Sequence, residues 1–119
     1  MTVMRLSSKT QNHITIISIG GDLIASECDQ LRQECIRVVE SRLQDIVLDC
    51  NELKYIDSVG LETLVWLQDF LSDHLGELKL INCSESMLTV LKMTRLNHRL
   101  EYCKSLHEAV VSFSCEGVN

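Results

Sequence analysis

The residues best suited to chemistry in this chain are Asp57, Ser58, Val59 and Gly60, which together read Asp-Ser-x-Gly. They follow the apolar run "DIVLDC" and precede a long amphipathic segment, so the hydroxyl of Ser58 falls where a helix should begin. A hydroxyl at that place can accept a hydrogen bond from the unpaired backbone N–H groups of the first turn. The same groups, with the helix dipole, favour an anion, so a phosphoryl group on Ser58 would be held locally. It would also add about two negative charges beside Asp57 and Glu62, changing what a partner meets there. Gly60 has no side chain, which lets another backbone or a nucleotide come close to the hydroxyl. Capping and modification both remain open on these residues. The pattern is neither a phosphate-cradling Walker loop nor a Gly-x-Ser-x-Gly nucleophile elbow.

Other reactive residues carry less. The six cysteines, Cys28, Cys35, Cys50, Cys83, Cys103 and Cys115, contain no Cys-x-x-Cys pair. At such spacings they read as small buried hydrophobes of a reducing compartment. His98, Cys103 and His107 could be imagined around zinc, but no ligand pattern joins them. Asp45 and Asp49 flank one apolar strand without a partner for acid–base work, and Met87, Val90 and Leu91 recur at core spacing. No metal, cofactor or catalytic group is expected, and the chain reads as a non-enzyme.

The elements that must position Ser58 follow from periodicity. His13–Ile19 alternates with β-branched residues and reads as a strand paired with an earlier one near Val3–Leu6, punctuated by Gly20-Gly21. Cys28, Leu31, Cys35, Val38 and Val39 recur at helical spacing over 26–43. Asp45–Cys50 and Leu78–Cys83 are continuous apolar strands of the parallel-sheet kind. "NELKYI" between the first of these and Asp57 reads as a loop, and a helix follows over 58–74. "SESMLTVLKM", "LEYC" and "SLHEAVVSF" read as a short helix, a brief strand and a last helix, with a capping box formed by Ser105 and Glu108. The alternation predicts one α/β domain over 1–119, its core about 13–113. Its sheet is mixed but mostly parallel, of four to five strands, with about four helices.

A chain of 119 residues that is 45% apolar and 24% charged has ordinary globular composition. The net charge of −6 and the 4% aromatic content argue against nucleic acid as a partner. "ITIISIG" is too short to cross a bilayer and no secretory leader precedes it, so membrane insertion is not expected and the chain reads as cytoplasmic.

Three stretches, taken in order, carry a resemblance: "GGDLIAS", "IVLDCNELKYIDSVGLETLVWLQDFL" and "LKLINCSESMLTVLKMTRLNHRLEYCKSLHEAV". From about His13 to Phe113 the chain resembles a STAS domain, and within that family the bacterial anti-sigma factor antagonists. Asp57, Ser58 and Gly60 match the family motif position by position, and Asp49 matches its strand-end aspartate. The resemblance implies a switch whose chemistry a partner supplies. An anti-sigma factor, itself an ATP-binding serine kinase, would phosphorylate Ser58 and so end binding. A phosphatase would restore it, and the unmodified protein would capture the kinase and free a sigma factor. The family usually reads Gly-x-Leu-Asp in its first turn, where this chain has Gly21-Asp22-Leu23-Ile24. After the third helix a family Gly-Leu pair is here Arg95-Leu96. Both departures leave the partner's identity open. The alternative within the same family is a non-switching accessory subunit bound to a transport ATPase of the lipid-exporting ABC kind, in which the hydroxyl is structural.

A helical wheel adds a second surface. Leu61, Leu64, Val65, Leu67 and Leu71 share a core face, which puts Trp66 and Phe70 on the other side as neighbours, rimmed by Glu62, Asp69 and Asp73. Such a pair either anchors a partner or is covered by another segment of the chain. The expected docking surface therefore comprises Asp57, Ser58, Val59, Gly60 and Glu62, with Asp22, Trp66 and Phe70.

Overall fold

A computed structural model describes residues 3–116, with side chains to residue 113. Alternating apolar strands and amphipathic helices build a five-stranded sheet in the order β1-β2-β3-β4-β5. The strands are β1 (Arg5–Gln11), β2 (Ile14–Leu23), β3 (Asp45–Ile56), β4 (Glu77–Ile81) and β5 (Glu101–Cys103). β1 is antiparallel to β2, and every later pairing is parallel. The helices are α1 (Cys28–Glu40), α2 (Ser58–Asp73), α3 (Glu85–Met93) and α4 (Leu106–Glu116). This is the α/β domain with a mostly parallel sheet that the sequence predicts.

Alternation along the strands divides the core in two. Ile17, Ile19, Ile46, Leu48, Leu78 and Leu80 face one way and are buried beneath α1, α2 and α3. Ile14, Ile16, Val47, Ile81 and Cys103 face the other way and meet Ala109 and Phe113 of α4. The charge in that second layer is Lys79, whose side chain is fully buried. Its ammonium lies 3.2 Å from Glu77, also pairs with Glu101 on β5, and sits 4.8 Å from the centre of the Phe113 ring. The buried ammonium is thus held by the half-buried carboxylate of Glu77 and the more exposed one of Glu101, with an aromatic ring beside it.

Two expected breaks in the sheet are absent. Gly20-Gly21 does not end β2. The strand runs on to Leu23 through two register irregularities, with Gly21 at φ +80°. A β-carbon at Gly21 would run into the Val3 carbonyl, so only glycine fits. Nor is "NELKYI" a loop: it is the second half of β3, paired with Gly20–Leu23 of β2. Its residues are mostly exposed, so they lack the continuous apolar signature of the first half. Smaller boundaries also move. β1 begins at Arg5 and runs to Gln11, and a single 3-10 turn, Ala25–Glu27, leads into α1. Arg95 takes φ +63°, the left-handed conformation that favours glycine.

Candidate functional site

The start of α2 is built from the ends of two neighbouring parallel strands. β3 delivers Asp57, and the end of β2 lies beside it, since Leu23 pairs with Ile56. The Asp57 N–H donates to the Leu23 carbonyl at 3.2 Å. Its carboxylate accepts from the Gly60 N–H at 2.7 Å and from the Ala25 N–H at 3.0 Å. Asp57 is in extended conformation and is the N-cap of α2. One carboxylate therefore closes the first turn of α2 and ties it to the segment after β2.

This corrects the capping expectation for Ser58. The cap is Asp57, and Ser58 is the first residue inside the helix. Among the described residues no hydrogen bond holds the Ser58 hydroxyl, and the side chain is exposed. Gly60 is buried for a reason that differs from ligand access. A β-carbon there would stand 2.5 Å from the Leu23 carbonyl oxygen and 2.7 Å from Ile56 Cγ1. The backbone that approaches it is the chain's own. Val59 is half-buried against the core, and its carbonyl accepts from the Thr63 hydroxyl at 2.8 Å.

Downstream, α2 has two flanks. Ser58, Leu61, Glu62 and Val65 form one wall of an open groove of about 370 Å³, and Thr94 and Leu96, beyond α3, form the other. Ser58 and Glu62 thus line the same wall, with Glu62 exposed. Val65 belongs to this groove and is only half-buried, not the core residue the wheel suggests. Leu96 and Thr94 were missed by sequence reasoning, because neither carries a signal apart from the Arg95-Leu96 pair.

Trp66 and Phe70 lie on the other flank, turned to α1. Their rings stack at 5.0 Å with planes 8° apart, and Phe70 also meets His74 at 4.6 Å. The Arg32 guanidinium of α1 lies 5.8 Å from the Trp66 ring centre and donates to the Thr63 hydroxyl at 3.2 Å. Both rings pack on the main core and are half-buried, so the expected exposed pair is corrected to a seam between α1 and α2. A wheel treats α2 as if only the sheet covered it, and the neighbouring helix supplies the second contact. Asp22, half-buried, pairs in register with Tyr55 near the end of the β2–β3 ribbon. Among the described residues no group of three or more His, Cys, Asp or Glu could hold a metal ion, and no helix is long and apolar enough to cross a membrane.

The architecture has known counterparts. The family model of the STAS domain matches residues 5–109. An anti-sigma factor antagonist from Mycobacterium paratuberculosis superposes with a TM-score of 0.81 at 17% identity, over 92% of this chain and 93% of that one. The anti-sigma factor antagonist SpoIIAA of Bacillus, in its unphosphorylated form, gives 0.71 at 17% identity over 98% and 100%. Murine Solute Carrier 26 family member A9, an anion transporter, gives 0.77 at 14% identity, with 97% of this chain matching 22% of the transporter. At these identities the likeness speaks for the fold alone, whereas the sequence model spans nearly the whole chain. The chain belongs to the STAS domain family.

Proposed function

We propose that this protein is an anti-sigma factor antagonist, a partner switch controlled by phosphorylation of Ser58. The observation that carries the reading is the division of labour at the start of α2. Asp57 does all the capping, so the exposed Ser58 hydroxyl has no structural task. A hydroxyl at that position can be modified without loss of the turn. A phosphate there would sit at the positive end of the α2 dipole but beside the carboxylates of Asp57 and Glu62. The docking face would be the groove from Ser58 to Leu96, whose floor is apolar and whose rim carries Glu62. An acidic residue added at its entrance would disfavour an apolar or acidic partner surface. A change of about 1–3 kcal/mol in coupling alters affinity roughly 5- to 150-fold, enough to redirect a partner. Ser58 is then a substrate, and the chemistry belongs to an ATP-binding serine kinase and to a phosphatase that reverses it.

The test is a pair of baits, wild type and Ser58→Asp, exposed to lysate of the source organism, with captured proteins identified by mass spectrometry. Capture of a serine kinase by wild type and its loss with Ser58→Asp is the expected result. Retention of one transport ATPase by both baits would instead mark a non-switching accessory subunit, and the antagonist reading would fall.

A further inference from the structure

We propose that the second half of β3 is a docking edge for an extended peptide segment in which apolar and acidic residues alternate. β4 pairs with β3 only from Asp45 to Asp49. β3 itself runs on to Ile56 with β2 alone beside it, through Gly20–Leu23. The cause is local: β4 ends at Ile81, and Asn82, at φ +57°, turns the chain out of the sheet before α3. The lane that a longer β4 would fill is therefore open along 51–56. Backbone N–H and C=O groups on such an edge accept a further strand, whose own main chain completes the ladder.

A groove of about 150 Å³ lies beside that edge. Four consecutive residues, Leu53, Lys54, Tyr55 and Ile56, line one side of it, and Met87 and Val90 of α3 line the other. Side chains of a regular strand alternate between faces, so a groove met by four residues in a row runs along the edge of the strand. A bulge contributes to this. Leu53 stands opposite Gly21 and Tyr55 opposite Asp22, which leaves Lys54 as the extra residue. The lining is mostly apolar, and Tyr55 is left 58% exposed. Lys54 is the one charged residue in it. Lys54 is exposed and makes no ion pair among the described residues, whereas Glu52 has Arg5 at 3.7 Å.

These features define the occupant. The open edge calls for an extended backbone, the groove between β3 and α3 for apolar side chains on one face of it, and Lys54 for a carboxylate. A lysine on an edge ordinarily discourages pairing with other chains. An acidic residue in the added strand turns that guard into a favourable cross-strand pair. The groove shares no lining residue with the one at Ser58, so the inference stands apart from the phosphorylation reading.

The test titrates the isotope-labelled full chain with a blocked hexapeptide of alternating valine and glutamate, following backbone amide shifts and hydrogen exchange by NMR. The expected result is saturable shifts over 51–56 and at Met87 and Val90, with slowed exchange along 51–56. The same peptide N-methylated at alternate residues cannot complete the ladder and should not bind. A valine–lysine peptide should bind about fivefold more weakly or worse, and Lys54→Glu should reverse that order. The proposal is overturned if no saturable shift appears up to about 1 mM peptide. It is equally overturned if the shifts centre on the Ser58 groove, if N-methylation makes no difference, or if the two peptides bind alike. Shifts over 51–56 that grow with protein concentration alone would give the edge to a second copy and overturn it too. The peptide series decides the matter even if Lys54→Glu does not fold.

Discussion

At the scale of single residues, the Asp57–Ser58 pair separates structure from regulation. Asp57 satisfies two backbone N–H groups on two different segments, while Ser58 satisfies none among the described residues. Asp57→Ala is expected to cost about 1–2 kcal/mol in urea denaturation, the usual range for losing an N-cap. Ser58→Ala, at an exposed first-turn position, should change stability by less than about 0.5 kcal/mol. Equal losses for the two would mean that the serine shares the cap. Gly60→Ala must displace the Leu23 carbonyl or the Ile56 side chain, and we expect it to lower stability by about 2 kcal/mol or more. Sequence could not assign the cap, because Asp and Ser cap almost equally well and a helix start is uncertain by a residue. It did place the hydroxyl at the turn, since the strand-then-helix pattern around it is strong.

Elements meet through contacts that periodicity alone does not reveal. The wheel of α2 identifies Leu61, Leu64, Leu67 and Leu71 correctly as core, yet it cannot know that α1 lies alongside. The seam so formed, Trp66 stacked on Phe70 with Arg32 over it, has a thermodynamic consequence. Trp66→Ala should lower stability by about 1–3 kcal/mol, from lost area and the aromatic pair, with a matching fall in melting temperature. An unchanged melting temperature would return Trp66 to the surface. The other side of α1 is tied to the sheet edge through Glu34, which accepts from Arg37 and from the Ser8 hydroxyl of β1 at 3.0 Å. The bond to Arg37, then that to Ser8, holds the Glu34 carboxyl below its ordinary value of 4.5 in spite of partial burial. A carboxyl lowered on folding stabilises the fold above its unfolded value and loses that contribution as pH falls through the folded one. The stability difference between wild type and Glu34→Gln should therefore be full at neutral pH and shrink as pH drops below 4.5. Acid titrations of unfolding would show a constant difference if the tether were inert. The second half of β3 was illegible for a related reason: Asn51, Glu52 and Lys54 have low strand propensity, and only pairing with β2 holds them extended.

For the molecule as a whole, the fold class was plain from the alternation of strands and helices, while the second core layer was not. Nothing in "LKLINC" says that Lys79 is buried, because its partners Glu77 and Glu101 become neighbours only when β4 and β5 pair. Lys79→Met keeps the apolar stem beneath Phe113 and removes the buried charge, so it should change stability by less than about 1 kcal/mol or raise it. Glu101→Ala leaves the ammonium with fewer partners and should cost at least about 2 kcal/mol by denaturant titration. The reverse order would show that the charge itself holds α4 in place. A different consequence follows from the strand order, which is also the chain order. During synthesis each strand can join the free edge left by the one before, and none has to be threaded between two already placed. The β1–β2 hairpin, a microsecond structure in other chains, can form while the rest is still being made. Every later crossover then extends a sheet that already exists. Such a chain meets its loop-closure costs in small, local instalments, and the aggregation-prone edge at each stage is one strand wide. The last edge is β5, three residues long, too short to recruit another chain readily.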